Sequence, residues 1–496
     1  MMHGQGKSDS SIVPVKSSNK AAFAAAETME GRGGTKGNAD RGSTCQTQSW
    51  ESVSLALGRI RETARRDKQV RFTALLHHVT VNLLHWSFNQ LKRQAAAGVD
   101  GVTWDQYEDG LESNLIDLCG RVHRGAYRAK PSRRQYIPKP DGRQRPLGIA
   151  SLEDKIVQRA VAEILNAIYE TAFLGFSYGF RPKHSQHDAL DALATAIYRK
   201  KVNWILDADI QAFFDTVNWE WLARFLQHRI ADRRLLRLIG KWLKAGVLED
   251  GRLLTVERGT PQGAVISPVL ANIYLHYVYD LWVHRWRGRN DGEVIVVRYA
   301  DDTVVGFQRR SDAERFLDEL RQRLRKFGLE LHPQKTRIIE FGRFAERNRK
   351  AQGLGKPETF AFLGFTHICG TNKGGGYLIL RHTIRKRLRE KIRQVKEAIR
   401  RMMHRPIAEQ ALYLKRVMNG YFNYFAVPTN SRAVNAFYYH VTWHWCRALR
   451  RRSQTSRLTW QRMKRLIDHS LPPARLRHPL PDVRFSVMTQ GGSPVR

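Results

Sequence analysis

Residues 53 to 91 carry apolar side chains at helical spacing, with Leu75, Leu76, Val79, Leu83, Leu84, Phe88 and Leu91 recurring at intervals of three and four. A glycine-bounded turn follows from Gly98 to Thr103. A mixed region then runs to about residue 365. Its apolar runs at 204–210, 294–298 and 303–307 predict short strands, and 156–169 and 313–327 have the period of helices. Past the glycines at 374–376 the pattern changes. Ile384, Leu388, Ile392, Val395, Ile399 and Met402 step by four and three along one face of a long helix. Two more helical stripes follow, one with Leu412, Val417, Tyr421, Phe422 and Phe425, the other with Val434, Phe437, Tyr438, Val441, Trp445 and Leu449. The pattern is that of an α+β body followed by a small helical bundle. Residues 1–48 are rich in Ser, Gly, Lys and Ala without periodicity and read as an irregular basic arm. The tail from Leu471, rich in proline and arginine, is expected to be irregular too.

Charge narrows the class of partner. The chain has 496 residues, enough for two or three domains, and carries 84 Lys and Arg against 46 Asp and Glu, a net charge of +38. Such a surface repels itself and is best compensated by a polyphosphate. The predicted bundle helix also carries Arg385, Lys386, Arg387, Arg389, Lys391, Arg393 and Lys396, with few acids to pair them, which favours phosphate contacts over a merely solvated face. No apolar run approaches the roughly 18 residues of a membrane span. The alanine patch at 21–26 is too short for a secretory signal core. Cys45, Cys119, Cys369 and Cys446 have neither metal-ligand spacing nor the look of a disulfide framework, which fits a reducing compartment.

The candidate chemistry lies in two acidic strand ends. Residues 294–307 form two apolar runs around Arg298, Tyr299, Ala300, Asp301 and Asp302, a hairpin with an acidic tip. Adjacent carboxylates repel, and a divalent cation offsets that repulsion. The run beginning at Trp204 ends in Asp207, Ala208 and Asp209. Pairing of this strand beside the hairpin would bring Asp209 to Asp301 around shared Mg2+, an arrangement suited to phosphoryl transfer. Asp207 shares a strand face with Asp209 and is assigned a structural role. The pairs His77–His78 and His440–His444 lack further ligands and read as packing or RNA contacts.

An ordered series of blocks then resembles the reverse transcriptase/maturase of bacterial group II introns, from about Leu83 to Phe425. The blocks are 98–103, 136–149, Ser177-Tyr178-Gly179-Phe180-Arg181-Pro182, 209–215, Gly259-Thr260-Pro261-Gln262-Gly263 with Ser267-Pro268, Tyr299 to Asp302, 332–336, Phe362-Leu363-Gly364-Phe365 and 420–425. The resemblance implies a right-hand polymerase, with fingers and palm at 49–370, a helical thumb or maturase domain at 371–452, and a basic tail at 453–496 as a short DNA-binding segment. It implies that Asp209, Asp301 and Asp302 are catalytic and, with Ile210, hold two Mg2+ ions, for which Mn2+ can substitute. Lys139, Arg145, Phe213, Phe214 and Gln262 would contact the dNTP, with an aromatic ring beneath the sugar rejecting a 2′-hydroxyl. Tyr299, Lys335, Leu363 and Gly364 would support the palm and primer, and Arg385, Lys386, Arg389 and Arg393 would bind RNA. The implied partners are intron RNA, an RNA template with a DNA primer, target DNA and dNTPs, in the bacterial cytoplasm at the nucleoid. The paired cysteines of the nuclease found in longer relatives are absent, so that domain is expected to be missing. The same chemistry would also serve host defence or DNA repair, and an RNA-binding splicing factor without polymerase activity is the reading from another class.

Overall fold

The computed structural model describes residues 44–138, 144–249, 251–255, 257–372, 374–453 and 458–488. Most of the expected basic arm, and Lys139, lie outside the described residues. The helix Thr44–Arg66 takes in the last five residues of the arm, 44–48.

The strands in chain order are β1 (Ser132–Pro138), β2 (Gln144–Ile149), β3 (Trp204–Asp209), β4 (Val247–Glu249), β5 (Arg252–Leu254), β6 (Val294–Tyr299), β7 (Asp302–Phe307), β8 (Arg337–Glu340), β9 (Phe360–Phe362), β10 (Phe365–Thr371) and β11 (Tyr377–Thr383). They form three sheets, ordered β2-β1-β4-β5, β6-β7-β3-β8 and β11-β10-β9. The central sheet, β6-β7-β3-β8, is antiparallel throughout.

Its strands carry apolar residues at consecutive positions because both faces are covered. Alternate side chains point to opposite faces. Leu206, Ala208, Val294, Val296, Val305 and Phe307 join a core shared with the helices Leu152–Tyr169, Ser267–Leu275 and Arg310–Lys326. Ile205, Ile295, Val297 and Val304 face a second core with the helix Gln186–Arg199. That second core continues through Phe360, Phe362 and Phe365 into Tyr421, Phe422 and Phe425 of the C-terminal helices, so sheet and bundle share one apolar interior.

The bundle comprises the helices Arg385–Arg401, Ile407–Phe425 and Ser431–Arg450, joined by Trp460–Ser470. On the first, Val395 and Ile399 are buried as the stripe predicts. On the second, the buried stripe is Ala411, Leu414, Met418, Tyr421, Phe422 and Phe425, and Leu412 is 50% exposed. The reason is angular: one position beyond Ala411, Leu412 is turned about 100° away from the core. The tail expected to be irregular from Leu471 ends in a helix, Pro481–Met488, and Arg484 of that helix pairs with Asp188 of Gln186–Arg199. Among the described residues, no helix is long and apolar enough to cross a membrane.

Candidate active site at the acidic hairpin

β6 and β7 are joined by only Ala300 and Asp301, with Tyr299 opposite Asp302. β3 pairs with the other edge of β7, placing Asp209 opposite Asp302. Register alone therefore sets Asp209 and Asp302 side by side, with Asp301 in the adjoining turn.

The turn is strained and held. Ala300 has φ +56°, a left-handed conformation that a side chain disfavours. Gly179 lies flat against it: a Cβ there would stand 2.1 Å from the Ala300 nitrogen. Beneath the turn, the Arg298 guanidinium is 1% exposed and forms a two-pronged pair with Asp280, at 2.7 and 2.6 Å. It also donates to the Ala300 carbonyl at 2.8 Å, to Ser177 Oγ at 2.6 Å and to Asn272 Oδ1 at 3.3 Å. Asn272 in turn donates to the Gly179 carbonyl at 2.7 Å. Asp280 closes a π-helical turn, His276–Asp280, a local widening that occurs mostly where function requires it. Removing one partner of such a buried pair costs about 3–5 kcal/mol, because the other charge is stranded. Arg298 and Asn272 are the residues that sequence reasoning missed. Their signal was present, an arginine inside an otherwise apolar strand.

The carboxylates crowd one another. Burial pushes Asp301 up to about 6, reinforced by Asp209 and opposed by Arg145 and Lys335. Burial holds Asp302 well above the usual range, with Asp207, Asp301 and Asp209 adding to the effect. Asp207 is likewise raised to about 6 by burial, and its principal counter-charge is Arg337, its neighbour across the strand pair. Lys335 Nζ bonds directly to Asp209 Oδ2. The loop that brings Lys335 there is anchored by the His332 amide donating to the Asp209 carbonyl at 2.8 Å. Crowded hard oxygens with raised proton affinity are the donor set a divalent cation relieves. Among the described residues, no three His, Cys, Asp or Glu side chains stand together so that they could hold a metal ion, Asp209, Asp301 and Asp302 included.

Strand β2 meets the loop Gly259–Gly263, and the charge of Arg145 on that strand reaches Asp301. The Gly148 amide donates to the Gln262 carbonyl at 2.6 Å, and Arg145 Nε donates to Gln262 Oε1 at 3.1 Å. Gln262 Nε2 lies 3.4 Å from both carboxylate oxygens of Asp215. Phe213 is buried, with its ring 6.4 Å from Tyr274, so Phe214 is the ring of the pair that stays partly open. The Leu363–Gly364 turn, at φ +45° and +83°, is held by Tyr424 Oη donating to the Leu363 carbonyl at 2.8 Å.

Arg385, Lys386, Arg389 and Arg393 are all exposed, but Arg393 is flanked by Glu390 and Glu397, each at 2.7 Å. The helix Ser431–Arg450 contains no acid and exposes Tyr439 and Trp443 at 57% and 38%. Arg447 lies 5.3 Å over Trp443. Burial and the nearby Lys396, His440 and Arg447 keep His444 below its usual pKa. These aromatics stand four apart on the face opposite Val434, Phe437, Val441 and Trp445, so periodicity could have found them.

Residues 137–367 match the reverse transcriptase (RNA-dependent DNA polymerase) family, a span that includes the three aspartates, the Gln262 loop and the Leu363–Gly364 turn. The chain is 36% identical to Protein YkfC of Escherichia coli (strain K12) over 238 residues, covering 42% of this chain and 62% of that protein. It is 34% identical to the group II intron-encoded protein LtrA of Lactococcus lactis subsp. cremoris, covering 44% and 37%. It is also 39% identical to a 91 kDa protein in the cob intron of Schizosaccharomyces pombe, covering 38% and 23%. The chain is thus similar to the reverse transcriptase family over residues 137–367 and to group II intron-encoded proteins, and it spans from about a quarter to three-fifths of the length of these relatives.

Proposed function

We propose that the chain is an RNA-directed DNA polymerase that copies RNA into cDNA and binds its intron RNA to assist splicing and retrohoming. The observation that carries the polymerase reading is the register that sets Asp209 beside Asp302, with Asp301 in the turn and within reach of the Arg145 charge.

In this reading Asp209, the Ile210 carbonyl, Asp301 and Asp302 hold two Mg2+ ions. When bound, these ions supply Lewis-acid activation of the primer hydroxyl and neutralise charge on the departing pyrophosphate. The remaining work belongs to the chain. Arg145 and Lys139 attract the triphosphate, and positive charge there stabilises what develops in the transition state. Gln262, oriented by Asp215 and Arg145, lines the nucleotide pocket. Phe214 lies beneath the sugar and excludes a 2′-hydroxyl. Tyr299, Leu363 and Gly364 support the primer end, and Lys335 steadies Asp209.

Maturase action rests on the cationic C-terminal helices. Arg385, Lys386 and Arg389, with the aromatic face of Ser431–Arg450, suit RNA through phosphate contacts and base stacking. The tail beyond residue 452 would contact target DNA, and the protein would act in the bacterial cytoplasm at the nucleoid.

The test is primer extension on an RNA template with dNTPs and Mg2+, comparing wild type with Asp301→Ala. Extension by the wild type alone supports the reading. Equal extension by both would overturn the catalytic assignment. Extension by neither, with tight RNA binding retained, would replace it with a splicing factor that does not polymerise.

A further inference from the structure

Phe180 is the one aromatic among the non-glycine residues with positive φ among the described residues, at +58°. A bulky side chain adopts that conformation only where its surroundings impose it, and such strain gathers at functional sites. Here the imposition is visible on both sides. Gly179 is pressed against Ala300, and its carbonyl is held by Asn272 at 2.7 Å. Arg181 is buried, donating to Glu170 at 3.0 Å, to the Leu174 carbonyl at 2.8 Å and to the Ser177 carbonyl at 2.6 Å. Residue 180 is bent between two fixed neighbours, and its half-buried ring lies beside Phe214 and Tyr299.

The ring meets two others there. It stands edge-on to Phe214, with centroids 6.3 Å apart, and tilted against Tyr299 at 6.5 Å. Phe214 belongs to the short helix Phe213–Thr216 that follows β3, and Tyr299 ends β6. Phe180 therefore touches both the ring assigned to the incoming sugar and the ring assigned to the primer end.

We propose that Phe180 is a specificity-determining positioning residue: wedged between Phe214 and Tyr299, it fixes the height of the Phe214 ring and so sets the discrimination between deoxyribonucleotides and ribonucleotides. The proposal rests on the polymerase reading given above. An exposed hydrophobic residue with only a packing role could sit at this place without strain. A ring that must hold a neighbour to within a fraction of an ångström requires a fixed aim, because small misplacements at a reacting centre are costly.

Glycine at this position separates the two roles, since it accepts φ +58° freely while removing the ring. The experiment measures kcat and KM for single-nucleotide extension with a dNTP and with the matching rNTP. The enzymes are wild type, Phe180→Gly, Phe180→Tyr, Phe214→Ala and the double variant Phe180→Gly/Phe214→Ala, each with a melting temperature. The expected result is a melting temperature for Phe180→Gly equal to or above wild type, with dNTP selectivity reduced about tenfold or more. Phe180→Tyr retains selectivity, and Phe180→Gly adds little once Phe214 is gone. Unchanged selectivity in Phe180→Gly, or equal and additive losses in the two single variants, would overturn the proposal. If Phe180→Gly does not fold, loss of selectivity in Phe180→Tyr overturns it and retention supports it. Failure of the wild type to extend with any nucleotide would remove the polymerase reading itself, an outcome distinct from a wild type that extends beside an unaltered Phe180→Gly.

Discussion

The acidic end of the central sheet and the C-terminal bundle share one apolar core yet are built by opposite means. The sheet end is held by strain and buried polarity. Phe180, Ala212, Ala300 and Leu363 all adopt positive φ around it, and Arg298 and Asp280 are buried as a pair. The bundle relies on helical stripes, and its cations stay on the surface. A site that must place carboxylates to a fraction of an ångström tolerates strain, whereas a surface that meets a flexible polyanion needs only charge, stacking rings and a stable helix. The two regions should therefore respond differently to the same kind of substitution.

The largest expected contrast comes from the carboxylates. Asp209→Asn or Asp301→Asn should lower primer extension by roughly a thousandfold or more, as loss of a metal-holding group does. RNA affinity measured by filter binding should stay within a factor of about two, since the proposed phosphate contacts lie on the C-terminal helices. A parallel fall in RNA affinity would show that the regions are not separable.

Next is a pair of glycines. A methyl at Gly179 would press on the Ala300 backbone, whereas one at Gly420, on the helix Ile407–Phe425, meets nothing within 4 Å. Gly179→Ala should reduce extension by about a hundredfold through displacement of the turn. Gly420→Ala should raise stability by up to about 1 kcal/mol with extension unchanged, because alanine is the better helix former. Thermal melts beside extension assays would decide it, and a neutral Gly179→Ala would remove the case for a held turn.

The joint between the regions titrates. Burial in β10, with Arg381 nearby, lowers His367 to about 3. In the unfolded chain this residue takes up a proton near pH 6.5, so between these values the unfolded state binds more protons. Its contribution is whole above pH 6.5 and declines as pH falls toward 3, reaching a loss of about 2 kcal/mol at pH 5. Urea midpoints from pH 7.5 to 4.5 should show this acid limb, flattened in His367→Phe. An identical limb in both proteins would place the titration elsewhere.

Smaller again is the stacking face. Tyr439→Ala and Trp443→Ala should each weaken RNA binding about tenfold, the scale of one base stacked on an aromatic ring. Extension of a short primed template should hardly change. Arg393→Ala should alter RNA binding less than about twofold, its charge being already matched by Glu390 and Glu397. A larger loss at Arg393 than at Trp443 would return the RNA face to the helix Arg385–Arg401.

The sequence by itself determined three of the four strands of the central sheet, β3, β6 and β7, with the helical period of the bundle and the acids at the strand ends; β8 was not legible in it. These are local facts: a strand buried on both faces reads as an unbroken apolar run, and a helix shows its stripe wherever it packs. The ordered blocks named the chemistry for the same reason, since each occupies a few adjacent residues. Tertiary structure alone decided that Phe213 turns inward and Phe214 remains partly open, because two adjacent rings cannot be ranked without knowing what lies on either side. It alone turned Leu412 to solvent, matched Arg298 with Asp280 and bent the backbone at Phe180. Each of these depends on segments far apart in the chain meeting at one place, and periodicity carries no record of what a residue will meet across such a distance.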